Sequence, residues 1–465
     1  MKRILLSAFV LALVPAAAYA QNVGGGVFPP NEVDQVKVDL AIEKGIKNLK
    51  SHNASHLATT DHVGRKISRR ELVLFTYVHS DVPESDPDFK ALFDSMIADK
   101  LEATYCVSLQ AMVLEEVERV KYQKRIAQCA KFLVDNQTVD GKNGGAGYWS
   151  YGSPSIYVED ITYDVPKRKD VASGGGKPDA GGVKQFELPQ PGMKSKPKVT
   201  NKIKIKKDRD GEGHDNSNTQ YAALGCRACV DAGIIFEDKV IDAAIKWLRE
   251  CQKKDKEPAE DLIEGGVNGP DGGMAGGKSA PGVASGGGGG GATVAGPSRV
   301  SKKASPQGWC YENHPEHKAY GSMTAGAVGS LAIWDYIKDN DEGKKRSWKT
   351  DTDIHEGLVW LAKNFSVTYN PGPYEHAKME ENSQHQYLYY MYALERAGML
   401  YGTEILGKHK WYPEGAKVLI ETQKPDGSWG AGTDDTCFAI LFLKRATRSL
   451  GVATYSAGQM RQGQK

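Results

Sequence analysis

The sequence predicts an all-α chain assembled from about six helical hairpins, each pairing an amphipathic outer helix with an apolar inner one. Three observations carry this. The stretch from Gly415 to Leu443, GAKVLIETQKPDGSWGAGTDDTCFAILFL, holds one whole unit. Its first helix, Glu414 to Gln423, is half polar and can face water on one side. The run from Thr436 through Cys437, Phe438, Ala439, Ile440, Leu441, Phe442 and Leu443 has no polar side, so it must be buried all round. Between them Pro425-Asp426-Gly427 is a reversal, in which proline presets one φ and glycine permits a positive one. Second, such a unit cannot cover its own apolar surface, so it should recur, and it does. Lys44-Gly45 with Leu49 and Asn53 repeats the pattern of Gly415, Leu419 and Gln423. Phe132-Leu133 with Gln137, Trp247-Leu248 with Gln252, and Gly357 with Trp360-Leu361 are partial copies. Third, residues 216–221 (NSNTQY) and 382–387 (NSQHQY) are one phrase, N-S-x-x-Q-Y, and each opens an apolar helix.

In chain order, Met1-Lys2-Arg3, the apolar run Ile4 to Val14 and the small-residue end Ala18-Tyr19-Ala20 predict a secretory signal over residues 1–20. The mature chain is then expected in the periplasm or beyond. The run is short for a span, and no later stretch is apolar enough, so no transmembrane segment is expected after cleavage. Residues 21–35 are a glycine-rich lead. The hairpins fill 36–450. Val36 to Lys50 is the first outer helix, with Glu71 to His79 as its inner partner. Asp86 to Asp99 with Ala103 to Val117, and Val120 to Asn136 with Thr219 to Ala232, come next. Lys239 to Lys253 with Met323 to Ile337, Asp353 to Phe365 with His385 to Met399, and Glu414 to Gln423 with Thr436 to Arg445 complete the set, and 451–465 is a flexible tail.

Two inserts interrupt the repeats, at 153–214 and 254–306. The first carries a basic run, Lys194, Lys196, Lys198, Lys202, Lys204, Lys206 and Lys207; the second carries the glycine tract Gly286 to Gly291. Their low apolar content cannot offset chain entropy, so both are expected to be largely disordered. Each falls between an outer helix and its inner partner, which places both where inner helices begin. A lid or tether there would let the lysines touch anionic envelope polymers or lipid head groups.

The formal net charge of +2 gives no reason to expect a nucleic acid partner. The seven cysteines are an odd number, mostly on predicted helices, unlike a small disulfide-stapled domain. Cys226 and Cys229 form a C-x-x-C, yet it lies inside a predicted helix with no second copy, which favours buried cysteines over a redox or zinc pair.

The order of a small residue, an apolar pair, a glutamine and then G-x-W, at Gly415, Val418-Leu419, Gln423 and Gly427-Ser428-Trp429, resembles the QW repeat of squalene-hopene and oxidosqualene cyclases. It is similar to the repeat of protein prenyltransferase β subunits too. The resemblance implies an α/α toroid closed by six hairpins, with a central cavity and catalytic groups at the rim where inner helices begin. Class II cyclases protonate an alkene with an aspartic acid in D-x-D-D-T, so the resemblance points to Asp434 as donor with Asp435 behind it. Here Gly432 replaces the first aspartate, and the motif stands in the last repeat rather than mid-chain. Two carboxylates at a helix start have a second reading, as caps on free amides.

Prenyltransferases hold zinc with D-x-C and a later histidine, which would make Asp435 and Cys437 ligands. No histidine follows Cys437, and His385 is the nearest substitute, so zinc is open but not required. Glu312-Asn313-His314-Pro315-Glu316-His317 is a further acid and histidine cluster before an inner helix. Trp309 and Tyr311 at a rim, and Tyr387 and Phe438 on inner helices, are candidate contacts for an apolar ligand or a carbocation. No G-x-S-x-G or H-E-x-x-H suggests hydrolysis. Three functions stay open: an exported toroid that binds or scaffolds an apolar or polymeric ligand; a terpenoid cyclase or isomerase using Asp434 and Asp435; and an envelope polysaccharide enzyme with Asp435 and Glu312 as acids.

Overall fold

The computed structural model describes residues 33–51, 57–60, 66–139, 146–154, 196–213, 215–254, 258–266, 299–342, 347–372 and 386–450. The expected signal, most of the lead, the tail, the glycine tract and most of both inserts lie outside these residues. Helix dominates the rest. The α-helices among the described residues are α1 (Gln35–Lys50), α2 (Arg70–His79), α3 (Pro87–Ala98), α4 (Thr104–Glu118), α5 (Gln123–Asp135), α6 (Asn216–Asp231), α7 (Asp238–Glu250), α8 (Gly321–Glu342), α9 (Thr352–Lys363), α10 (Tyr387–Tyr401), α11 (Trp411–Thr422) and α12 (Thr433–Lys444).

Local chemistry sets many of their starts. Asp34, Asp86, Asp215 and Asp351 each accept a backbone N–H in the first turn of the helix that follows, which satisfies an otherwise free donor. Polarity then sorts the helices. Odd-numbered helices such as α7 bury one stripe, Val240, Ile241, Ala244, Ile245, Trp247 and Leu248. Even-numbered α6, α10 and α12 are buried on nearly every side.

The even-numbered helices pack α2 on α4, α4 on α6, α6 on α8, α8 on α10, α10 on α12, and α12 back on α2. The odd-numbered helices cover them. α3 packs on α2, α5 on α4 and α6, α11 on α10 and α12, and α1 on α12 rather than chiefly on its chain neighbour α2. An outer helix thus leans on the inner helix before it as well as on the one after it.

Three hairpins share one set of bonds. The indole N–H groups of Trp149, Trp309 and Trp429 donate to the carbonyls of Leu133, Leu248 and Leu419 on the outer helix. Their backbone N–H groups donate to the hydroxyls of Thr219, Thr324 and Thr436, in the opening turns of α6, α8 and α12. Gln137, Gln252 and Gln423 donate to carbonyls of the next outer helix, Val240, Asp353 and Ala41 respectively. The last of these joins residues 382 apart, so the seam between the last and first units has the chemistry of the internal ones. Gly427 supplies the turn there with φ +86°, and a Cβ on it would stand 2.4 Å from Lys44 O.

Small strands fill the connections. β1 (Ala58–Thr60) and β2 (Lys66–Ser68) pair antiparallel, as do β3 (Gln137–Thr138) and β4 (Tyr148–Trp149). β5 (Ile203–Lys204) runs parallel to β6 (Ile234–Ile235). β7 (Glu260–Gly266) lies between β8 (Arg299–Ala304) and β9 (Thr403–Leu406), which pairs with β10 (His409–Lys410). These strands differ from the disorder expected of the inserts, since β5 belongs to the first and β7 and β8 to the second. Ile203 and Ile205 sink into the core, and Lys196 is 8 % exposed. A few well-placed apolar residues anchor a segment whose average composition is polar.

Candidate functional site

Aromatic side chains from α4, α6, α10 and α12 meet in a column. Tyr105 and Tyr221 have ring centroids 4.7 Å apart, and Tyr221 stacks on Tyr389 at 6.3 Å. Tyr389 meets Phe438 edge-on at 5.6 Å, and Phe438 stacks on Tyr392 at 5.9 Å. Tyr151 approaches Tyr105 at 6.3 Å from the loop that follows β4. Beside it the buried Asp215 accepts the Ser217 hydroxyl at 2.5 Å and the Asn218 backbone N–H at 2.8 Å. Burial, with Asp215 next, pushes the Tyr311 phenol well above its ordinary value.

Arg396 stands within this column. Its Cζ lies 4.3 Å from the Tyr392 ring centre, 5.5 Å from Tyr221 and 5.9 Å from Tyr389. Its Nη2 donates to Gln220 Oε1 at 3.4 Å, an oxygen that already accepts the Tyr389 hydroxyl at 3.1 Å. Burial pushes the Tyr221 phenol up to about 12 despite that guanidinium.

A second cluster gathers the last turns of α2, α4 and α6 with the chain after α12. Glu115 accepts Lys196 Nζ at 2.6 Å and also Arg448. Glu116 pairs with Arg448 at 2.9 Å and Lys196 at 3.0 Å. Arg227 donates to the carbonyls of Arg448 at 2.7 Å and Ser449 at 3.0 Å, which ties down the chain after α12. Glu395 accepts both the N–H and the hydroxyl of Thr447. Burial opposes the charge on Glu116, but Arg448 and Lys196 outweigh it and hold the carboxyl below its usual range. Burial lowers the neighbouring His79 to about 3, so its ring is neutral. His79, Glu115, Glu116, Arg227, Asp231, Thr447 and Arg448 line a small cleft together with Phe75, Met112, Leu224, Ala228, Tyr392 and Ala446.

The predicted site residues fall in different places. Asp434 Oδ1 lies 3.4 Å from Arg69 Nε, with both side chains substantially exposed. Asp435 is half-buried and its Oδ2 accepts the Ala431 N–H at 2.8 Å. Burial raises the Asp435 carboxyl, against the Ala431 bond, and the Asp434 charge adds to the rise. Trp309 is fully buried with its indole N–H donated to Leu248, which makes it the repeat tryptophan of its hairpin. The Tyr387 hydroxyl is likewise taken, donating to Val367 O at 2.6 Å. Phe438 is in the aromatic column, and Tyr311 is at its edge.

Cys437 is wholly buried near Thr76, and burial raises its thiol to about 12, far from a ready thiolate. His385, the third member of the zinc set, lies outside the described residues. Among the described residues no group of three or more His, Cys, Asp and Glu could hold a metal ion. Cys226 and Cys229 are buried free thiols on α6. His314 and His317 stack tilted at 4.5 Å in the polar loop before α8, and Glu312 is half-buried there, its carbonyl accepting the Cys310 thiol.

Sequence reasoning missed Asp215, Arg396, Glu115 and Glu116. The readable signal was a charge inside an apolar run: Glu115-Glu116 in α4 and Glu395-Arg396 in α10, with Asp215 directly before the N-S-x-x-Q-Y phrase.

Neither a protein-family model nor a curated protein matches this chain. No described helix is long and apolar enough to cross a membrane.

Proposed function

We propose that the chain is an exported α/α toroid, of the kind the QW-like repeat resembles, that binds or scaffolds an apolar or polymeric ligand without cyclising it. The cycle of contacts among even-numbered helices, with its repeat-like seam at Gln423, supports the toroid. One observation carries the non-catalytic reading. Asp434 and Asp435 precede Thr436 at positions that hold Ser217-Asn218 before Thr219 and Ser322-Met323 before Thr324, so the threonine is common to the three repeats and the acids are not. Each acid also has a structural partner, Arg69 for one and the Ala431 amide for the other. A cyclase needs room for a folding polyene, whereas tyrosines, Phe438 and Arg396 fill the column here. The small open cleft next to Tyr392, with Phe75, Met112 and Leu224 in its lining, is a candidate contact surface for part of such a ligand.

A second reading, a cyclase-like isomerase, has one observation in its favour: burial raises Asp435 beside a second carboxylate, as a proton donor requires. The test is a native mass spectrum of the protein purified from its own source, followed by incubation with squalene. A lipid-sized mass increment without turnover is expected. Product formation that disappears in Asp435→Asn would replace the binding reading with the isomerase.

A further inference from the structure

The glutamine and tryptophan of a repeat hairpin stand opposite each other. In β3 and β4, Gln137 faces Trp149 and Thr138 faces Tyr148. Gln252 and Trp309 make the same bonds as Gln137 and Trp149, so they are the corresponding pair of the hairpin that carries the second insert. That register sets Lys253 opposite Gly308, and the Lys253 N–H does donate to Gly308 O at 2.8 Å. Lys424 donates to Ser428 O at 3.0 Å in the last hairpin, where Gln423 faces Trp429 in the same way. On the other side of Gln252 and Trp309, the next opposed pair is Cys251 and Cys310. The corresponding pairs are Asn136 with Ser150 and Thr422 with Gly430, so the two sulfurs belong to this hairpin and not to the repeat.

Directly opposed residues of an antiparallel pair have Cα atoms about 4.5–5.5 Å apart, inside the span of about 4.4–6.8 Å that a disulfide bridges. Both side chains are buried, and after burial itself the Cys310 thiol is the next cause that raises the Cys251 thiol, as neighbours do. Cys251 closes α7 just before the second insert, and Cys310 follows it. We infer that Cys251 and Cys310 form a disulfide when the chain folds in an oxidising compartment, a covalent clasp at the base of the second insert. The setting rests on the export reading, and the clasp adds a modification to it. One sulfur, as thiolate, displaces a thiol from a small disulfide oxidant, and the other then displaces the second thiol from that mixed disulfide. The two cysteines lose two protons and two electrons, and the oxidant leaves as two thiols. Burial makes both sulfurs poor nucleophiles once the hairpin is packed, so exchange precedes packing and the finished bond is shielded from reductant.

The protein is purified from its own source without reductant, denatured in iodoacetamide and mapped by peptide mass. The Cys251 and Cys310 peptides are expected joined, with the other five cysteines alkylated. The full chain is also made by cell-free synthesis in a mixture of oxidised and reduced glutathione, which takes export out of the question. The same link is expected there, and it should raise the melting temperature over that of the reduced chain by on the order of 5 °C. Cys251→Ala and Cys310→Ala should each remove that difference, and the double variant should lose no more than either. If cell-free synthesis leaves both thiols open to alkylation, or links Cys129 to Cys229, which also lie together, the inference is overturned. A chain from the native source that begins at Gln21 then keeps the export reading standing. Thiols alkylated in the native protein but linked in the cell-free one uphold the pairing and overturn export.

Discussion

The turn before α12 and the cluster below α4 both tie acidic side chains to neighbours, but they do so on opposite terms. At the turn, Asp435 reaches back four residues to Ala431, and Asp434 meets Arg69 in water. In the cluster, Glu115 holds Lys196 from 81 residues away and Arg448 from 333, all nearly out of water. Exposed pairs lose little when broken, because water replaces the partner. Buried pairs add little net stability when formed and cost much when half of one is removed. The motif that looks most like chemistry in the sequence should therefore tolerate change, and the cluster that no motif announces should not.

The largest effect should come from Arg448→Met, which strips Glu115 and Glu116 of their shared guanidinium. A loss of about 3–5 kcal/mol is expected in urea unfolding. Adding Glu115→Gln should recover part of it by removing a stranded charge. A loss under about 1 kcal/mol would put the cluster on the footing of the exposed turn and erase the contrast.

Acid should act on the same cluster. The folded value of His79, about 3, lies below its ordinary value of 6.5, so between them the unfolded chain binds the extra proton. Stability then falls as pH drops from about 6.5 towards 3, by up to about 1.4 kcal/mol per pH unit for this one group. The lowered carboxyl of Glu116, which faces His79 together with Arg448, Lys196 and Lys444, adds a loss in the same direction at lower pH. Thermal melts of wild type and His79→Phe from about pH 8 to 4 check this, since the variant should lack the upper part of the slope.

Asp335 on α8 tests what a buried acid does when desolvation and repulsion outweigh pairing. Burial, then Asp351, raises it to about 7, although Arg249 stands 3.7 Å away and is shared with Asp351 and Asp353; Asp339 and Lys338 also face it. A carboxyl raised on folding carries the opposite sign. Its contribution is fully present below the unfolded value near 4 and is lost as pH rises towards about 7. Asp335→Asn should thus stabilise the protein at about pH 8, on the order of 2 kcal/mol, and change little at about pH 4. Equal effects at both pH values would show packing rather than ionisation at work.

Legibility in the sequence follows the same division between local and distant partners. Helices repeat because their apolar spacing is local, so α11 and α12 could be read from periodicity, and Gly427 could be read as a positive-φ turn from Pro425-Asp426-Gly427 alone. The repeat role of Trp429 was equally plain, because its indole reaches Leu419 O across a separation of 10 positions. Trp309 makes the same bond to Leu248 O across 61 positions, with the second insert between them, so no local window holds both and the ring read as a free aromatic at a rim. The structured edges of the inserts and the cluster around Glu115 stayed hidden for the same reason, because no window of sequence contains both Lys196 and its acids.

The smallest effect should be the one the motif advertises. Asp434→Asn removes a half-exposed ion pair with Arg69, so unfolding should shift by no more than about 1 kcal/mol. Thr436→Val, two residues on, removes the buried hydroxyl that accepts the Trp429 N–H at 3.2 Å and leaves that donor without its partner, for a loss of about 1–3 kcal/mol. The ranking of the pair separates the two accounts of D-D-T. If the run is a helix opening built on the repeat threonine, Thr436→Val costs more stability and Asp434→Asn leaves ligand binding intact. If it is an acid site, Asp434→Asn changes stability as little as before but removes turnover, and the turn would then be the working part of the molecule.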